Sequence, residues 1–256
     1  MLPRENLLKS KMVQLITLDS KEAVGKIRSW EQEDSYFYTI ENSPSSLLNK
    51  RARSYPYIAS GSVRNLSGSS TSTPVPLKGP IYIVYLDPRS DSGLPHTRGM
   101  SGIALPIYHL WSPNEKTMQH ELVHLSQKQF KDRWWQLYSK VWGFRVASKE
   151  EFLEIPERLR SRRRINPDTL GNPYVVWSER YIPLSLFVEE LDPELSKCKR
   201  GFWDLEISQW TWEEPPGWIR MFGQGFNDEH PNEIAAHWLD GSAGPEKADF
   251  IKNAGI

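Results

Sequence analysis

Two histidines four residues apart, His120 and His124, lie in a segment that starts like a helix and contains nothing to break one. Ser112 reads as a cap, Pro113 as a first helical residue and Glu115 as the far half of a capping box. The spacing predicts a helix over 113–130, which continues or restarts across Trp134 and Trp142 before Gly143. On such a helix residues i and i+4 project from one face, so both imidazoles point the same way. Leu122 and Val123 lie between them and ask for burial. Two imidazoles on one face of a helix stand close enough to act together.

The neighbouring segments suggest what covers it. Ile81-Tyr82-Ile83-Val84-Tyr85-Leu86 is β-branched and aromatic and ends at Asp87-Pro88, so it reads as a strand. A second strand is expected over 103–107, with Pro106 marking it as a sheet edge. Upstream, 13–18 reads as a short strand, and Asp19 caps a helix carrying Ala23, Ile27 and Trp30 on one face. Between them, 59–80 is dominated by Ser, Gly, Thr and Pro and is expected to be a linker or loop. The expected organisation is therefore an N-terminal segment of open role over 1–58, the linker, and a main domain over 81–256. The fold class is α+β: a small mixed sheet whose edge strand packs on the histidine helix, with a second helix downstream.

Composition narrows the function. With 32 basic and 32 acidic residues the chain is neutral, which argues against nucleic acid as a partner. One cysteine, Cys198, excludes disulfides within the chain and cysteine-rich metal sites, and it points to a reducing compartment, cytoplasmic or within a virion. No apolar run is long enough for a membrane span or a signal peptide, so no membrane partner is expected.

His120-Glu121-Leu122-Val123-His124 then acquires a chemical reading. Two neutral imidazoles on one face can ligate one zinc ion, and Glu121, directed at a bound water instead, can act as general base. Here the chain resembles the HExxH zinc metallopeptidases. The metzincin branch requires Gly and His where this chain has Gln127 and Phe130. The gluzincin branch is matched by Asn232-Glu233-Ile234-Ala235-Ala236, on a helix begun by Pro231 and ended near Gly241. That resemblance implies Glu233 as third zinc ligand, with His237, one turn later, as the rival or as a transition-state donor. It implies a peptide or protein substrate, laid along the edge strand through Gly102, Ile103, Ala104, Leu105 and Pro106. It also implies an oxyanion-stabilising donor, for which Tyr174, Tyr181, Arg180 and His237 are the candidates. A second, looser likeness to HExxH proteins of large DNA viruses and algae rests on His96-Thr97-Arg98, on Asn166 and Asp168 in a dense turn, and on His230.

Other features have plainer readings. The five arginines within 158–164 are balanced by Glu150, Glu151, Glu154 and Glu157 and read as a charged surface segment. Trp203, Trp210, Trp212 and Trp218 read as core and loop packing. Lysines flank Cys198 and would favour its thiolate, but no partner base is identified, so the cysteine reads as incidental. The alternative to an enzyme is a non-catalytic zinc-stabilised structural or binding protein. Cleavage preference and oligomeric state leave no mark in the sequence.

Overall fold

The computed structural model describes residues 11–53, 57, 69–225 and 228–253. Asp19 ends strand β1 (Lys11–Thr17) and starts helix α1 (Ser20–Asp34). Its carboxylate accepts from the Lys21 and Glu22 amides at 2.9 and 2.8 Å, while Glu22 reaches back to the Asp19 amide. Helices α2 (Tyr36–Asn42) and α3 (Ser46–Ala52) follow. Strands β2 (Ser69–Thr73), β3 (Ile81–Leu86), β4 (His96–Arg98) and β5 (Gly102–Pro106) then complete a mixed sheet in the order β2-β1-β3-β5-β4.

Two expectations change here. Residues 11–53 are not set apart from the main domain: β1 runs parallel to β3, and α1 seals one face of the sheet with Ala23 and Trp30 against Val84, Leu86 and Ala104. In the expected linker, 59–68 lies outside the described residues, but β2 is a strand. Its Ser and Thr side chains bury little, and the antiparallel ladder from Lys11↔Thr73 to Leu15↔Ser69 holds it. Composition reports side-chain burial and is blind to a ladder made by backbone.

The edge assignment is also corrected. β5 is interior, parallel to β3 and antiparallel to β4 through His96↔Ala104, Thr97↔Ile103 and Arg98↔Gly102. Pro106 sits at the last residue of β5, not along an open side. Gly102 is fixed by packing: a Cβ there would stand 2.4 Å from the Trp30 indole.

The other face of this sheet receives the histidine helix. After the short α4 (Tyr108–Trp111), helix α5 (Glu115–Gln129) places Leu122 and Leu125 against Leu15, Ile83, Ile103 and Leu105. Its cap is Asn114, accepting from the Thr117 amide at 3.2 Å, not Ser112, which closes α4. The helix stops at Phe130 and restarts as α6 (Lys131–Lys140).

Beyond α6 lies a second sheet, antiparallel throughout, of β6 (Phe144–Val146), β7 (Val175–Trp177), β8 (Tyr181–Leu186), β9 (Lys199–Asp204) and β10 (Gln209–Thr211). Helices α7 (Lys149–Glu154) and α8 (Glu157–Arg160) lie between β6 and β7, and α9 (Pro216–Phe222), α10 (Pro231–Leu239) and α11 (Pro245–Asn253) follow the sheet. Trp142, Phe144, Trp177, Trp218, Phe222 and Trp238 form the aromatic core between this sheet and the helices. Trp203 is buried too, whereas Trp212 is exposed.

The arginine segment is tied into the fold. Arg162 donates to the Phe187 and Val188 carbonyls, and Arg163 donates to the Pro173 carbonyl with its guanidinium 4.4 Å from the Tyr174 ring centre. Cys198 is buried, which pushes its thiol up to about 12 and overrides the flanking lysines. Among the described residues no helix is long and apolar enough to cross a membrane.

Arg98 joins the N-terminal elements to the sheet. It is fully buried, bound to Asp34 at 2.7 Å and to Glu31 at 2.9 Å, with its guanidinium 4.6 Å from the Phe37 ring centre. Burial alone would raise the Asp34 carboxyl, but the Arg98 contacts outweigh it and hold the group below its ordinary 3.8. Arg98→Met leaves these acids without their cation and is expected to cost about 3–5 kcal/mol of stability in thermal or urea unfolding. A depressed carboxyl contributes stability above its unfolded value and loses it as pH falls. The unsubstituted protein should therefore lose this contribution below pH 3.8, and the variant should show no such loss.

Candidate metal centre

Helix α5 is covered on two sides, and this sets where its histidines point. Leu122 and Leu125 face the first sheet, Val123 belongs to the aromatic core with Ile234, Ala235 and Ala236 of α10, and the imidazoles face α10. The alanines lack bulk, so the two helices approach closely. Pro231 opens α10 and His230 caps it, its Nδ1 accepting from the Asn232 amide at 3.1 Å. Glu233 then projects from the first turn toward α5.

Glu233 Oε2 lies 3.5 Å from His120 Nε2, and Glu233 Oε1 lies 3.5 Å from His124 Nε2. The other ring nitrogens are also engaged. His120 Nδ1 is 3.0 Å from an Asp240 oxygen, and His124 Nδ1 is 2.8 Å from the Gln127 carboxamide oxygen, whose amide donates to the Asn232 carbonyl. Those oxygens only accept, so each Nδ1 carries the proton it donates, and each Nε2 is the atom turned to the centre. Asn166 donates to Glu233 Oε1 at 2.7 Å and fixes the carboxylate in turn. The three ligand atoms lie within 4.8 Å of one another, an arrangement that can hold a metal ion.

Glu121 sits beside this triad on the wall of a cavity of about 150 Å³ that His120, Glu233, Asn166 and Asp168 also line. It is buried, and its Oε2 has no hydrogen-bond partner. Burial, reinforced by the Asp168 charge, pushes the Glu121 carboxyl up to about 8 against the pull of the histidines. His237 stands next to the triad, its ring centre 4.7 Å from that of His120 and its Nδ1 2.6 Å from Asp228. It forms a second possible donor set with His120 and Asp240, which shares His120 with the set of His120, His124 and Glu233.

The expected donors other than His237 are elsewhere. Tyr174 packs on Phe152 and Arg163, Tyr181 stacks on Trp177, and Arg180 is held by Asp204 and Glu206. None of the three lines the cavity. Gly102, Ile103, Ala104 and Leu105 do not line it either, because β5 is interior and buried along its length.

The looser group of polar residues gathers at the centre more closely. His96 lines the cavity, and Asp168 accepts from the Thr97 amide at 3.0 Å and from its hydroxyl. Asn166 holds Glu233 and His230 caps its helix, while Arg98 faces away to Asp34. Sequence reading missed Asp240 and Gln127, although helical spacing signals both: Asp240 follows Glu233 by two turns, and Gln127 follows His124 by three residues. It also missed the cavity wall of Arg53, Asp91 and Arg164, which only the tertiary fold assembles. No family model, curated protein or solved structure matches this chain.

In the metal-free protein, burial opposes the His124 imidazolium, but Glu233 and Asp168 outweigh it and hold the group up at about 9. A metal must displace that proton and the one on His120, which Asp240 and Glu233 likewise hold up against burial, so apparent affinity should rise with pH up to and through about 9, as titration calorimetry across that range would read. Zinc added at a hundredfold excess over its dissociation constant should stabilise the chelator-stripped protein by about 2.7 kcal/mol. His124→Ala should abolish the accompanying rise in melting temperature, and Asp240→Ala should weaken binding by roughly 10- to 100-fold.

Proposed function

We propose that the protein is a zinc-dependent peptidase in which His120, His124 and Glu233 hold the ion and Glu121 is the general base. One observation carries the reading. Each imidazole Nε2 stands 3.5 Å from a different oxygen of Glu233, and donors held tetrahedrally at about 2.0–2.2 Å from zinc lie about 3.4 Å apart. Nitrogen and carboxylate oxygen are the donors of catalytic zinc, and the lone cysteine is buried in a separate apolar cluster. Zinc bound there would polarise a carbonyl and lower the pKa of a water.

The chain's own residues supply the rest. The positive charge of bound zinc would bring the Glu121 carboxyl down from about 8, so that it is ionised to take a proton from water and pass it to the departing amine. Asp240 and Gln127 keep both imidazoles turned to the centre. His237, fixed by Asp228 beside His120 although it does not line the cavity, is the remaining candidate for stabilising charge developing on the carbonyl oxygen. The second reading, a non-catalytic zinc-stabilised protein, is favoured by the donor set of His120, His237 and Asp240, through which His237 would close the site.

Glu121→Gln separates the two. On the peptidase reading it binds zinc at the unsubstituted stoichiometry, measured by elemental analysis, and hydrolyses a mixed peptide library about 10²–10⁴-fold more slowly, measured by mass spectrometry. Undiminished hydrolysis in that variant would remove Glu121 from the mechanism. A full zinc content with no hydrolysis by the unsubstituted protein would favour the closed site.

A further inference from the structure

We propose that the cavity beside the triad receives the C-terminal end of a peptide, with the terminal carboxylate held by Arg164. The inference rests on the peptidase reading above and names its substrate class.

The first support is that neither β4 nor β5 is open to an extended chain. β5 is covered by β4, and the outward backbone groups of β4 are already taken. The Thr97 amide donates to Asp168 at 3.0 Å, and the Thr97 carbonyl accepts from Lys128 Nζ at 3.1 Å. Among the described residues, neither strand offers an open ladder for the middle of a polypeptide.

The second is the size and stiffness of the cavity. Its volume is about 150 Å³. At about 30 Å³ per water that is room for roughly five waters, half of the roughly 300 Å³ at which pockets for larger ligands begin. Arg53 and Asp91 on its wall are paired at 2.7 Å. The Tyr36 hydroxyl donates to Asp91 at 2.8 Å, and Arg53 donates to the Ile165 carbonyl at 2.6 Å. Widening the cavity on that side breaks a buried ion pair.

The third is Arg164. It lines the same cavity as His120, Glu121 and Glu233. The other charges around it are matched: Asp91 by Arg53, and Asp168 by Lys128 and the Thr97 donors. Arg164 makes one ion pair, with Glu229 at 3.5 Å, feels the charges of Glu233 and Asp228 as well, and keeps 23% of its side chain exposed. A planar guanidinium with unfilled donors fits the two oxygens of a carboxylate. With the terminal carboxylate there, the bond cut is the last peptide bond. Water oxygen joins the carbonyl carbon, the C–N bond breaks, and the proton taken by Glu121 goes to the released amine, freeing one amino acid.

The test uses an N-acetylated dipeptide with a free C-terminal carboxylate and the same dipeptide as its C-terminal amide. Both are titrated calorimetrically into zinc-supplied Glu121→Gln protein. The acid should bind roughly 10- to 100-fold more tightly than the amide, and adding Arg164→Gln should bring the acid down to the amide. Equal binding of the two, or binding of neither, overturns the proposal. So does a preference that survives Arg164→Gln, since the carboxylate would then sit on the metal. Should that variant fail to fold, the acid–amide comparison with Arg164 intact still decides. In parallel, the unsubstituted zinc-loaded protein should remove single C-terminal residues from a free-acid peptide and spare its amide. Internal cleavage of the amidated peptide at equal rate overturns this inference and leaves the peptidase reading standing. Absence of all hydrolysis counts against the peptidase reading, while the binding arm still judges Arg164.

Discussion

The contact on which the site depends is one carboxylate facing two imidazoles across a helix pair. Glu233 and His124 are both buried, and a buried ionisable group is tolerated only when its surroundings satisfy it. That requirement reaches outward. Asp240 and Gln127 take the far nitrogens, Asn166 holds Glu233, and Asn232 anchors both Gln127 through its carbonyl and the Asp168 carbonyl through its amide. The turn carrying Asn166 and Asp168 is therefore part of the centre's scaffold, though it lies far from either helix in sequence.

The same centre joins the two halves of the fold. Helix α5 gives one side to the first sheet and another to the aromatic core of the second, so the imidazole face falls along the seam between them. The N-terminal elements close that seam from the other side. Arg53 at the end of α3 reaches Asp91 and the Ile165 carbonyl, and Asn49 donates to the Arg163 carbonyl while accepting from the Ile165 amide. Remote segments thus build a polar wall opposite the triad, and its buried ion pair resists movement.

Much of the centre is legible locally. The i, i+4 histidines, the glutamate between them and the proline-started helix with Glu233 are written in short stretches, because helical geometry alone decides which side chains share a face. The α1 cap and strand β3 are legible for the same reason. The second sheet is not. Three of its five strands have three residues each, too short for a period to show, and their pairing depends on partners tens of residues away. β4 fails likewise: His96-Thr97-Arg98 carries no strand signal, yet its pairing turns the presumed edge strand into an interior one.

The sequence by itself determined the donors: two imidazoles on one helix, a carboxylate on another and an acid beside them, because residue type and helical spacing are local properties. Tertiary structure decided how those side chains are arranged. It set Glu233 against both Nε2 atoms, excluded Tyr174, Tyr181 and Arg180 from the cavity, covered β5, and brought Arg53, Asp91 and Arg164 to the opposite wall. Those outcomes follow from long-range packing and buried charge pairing, which no short window of sequence contains.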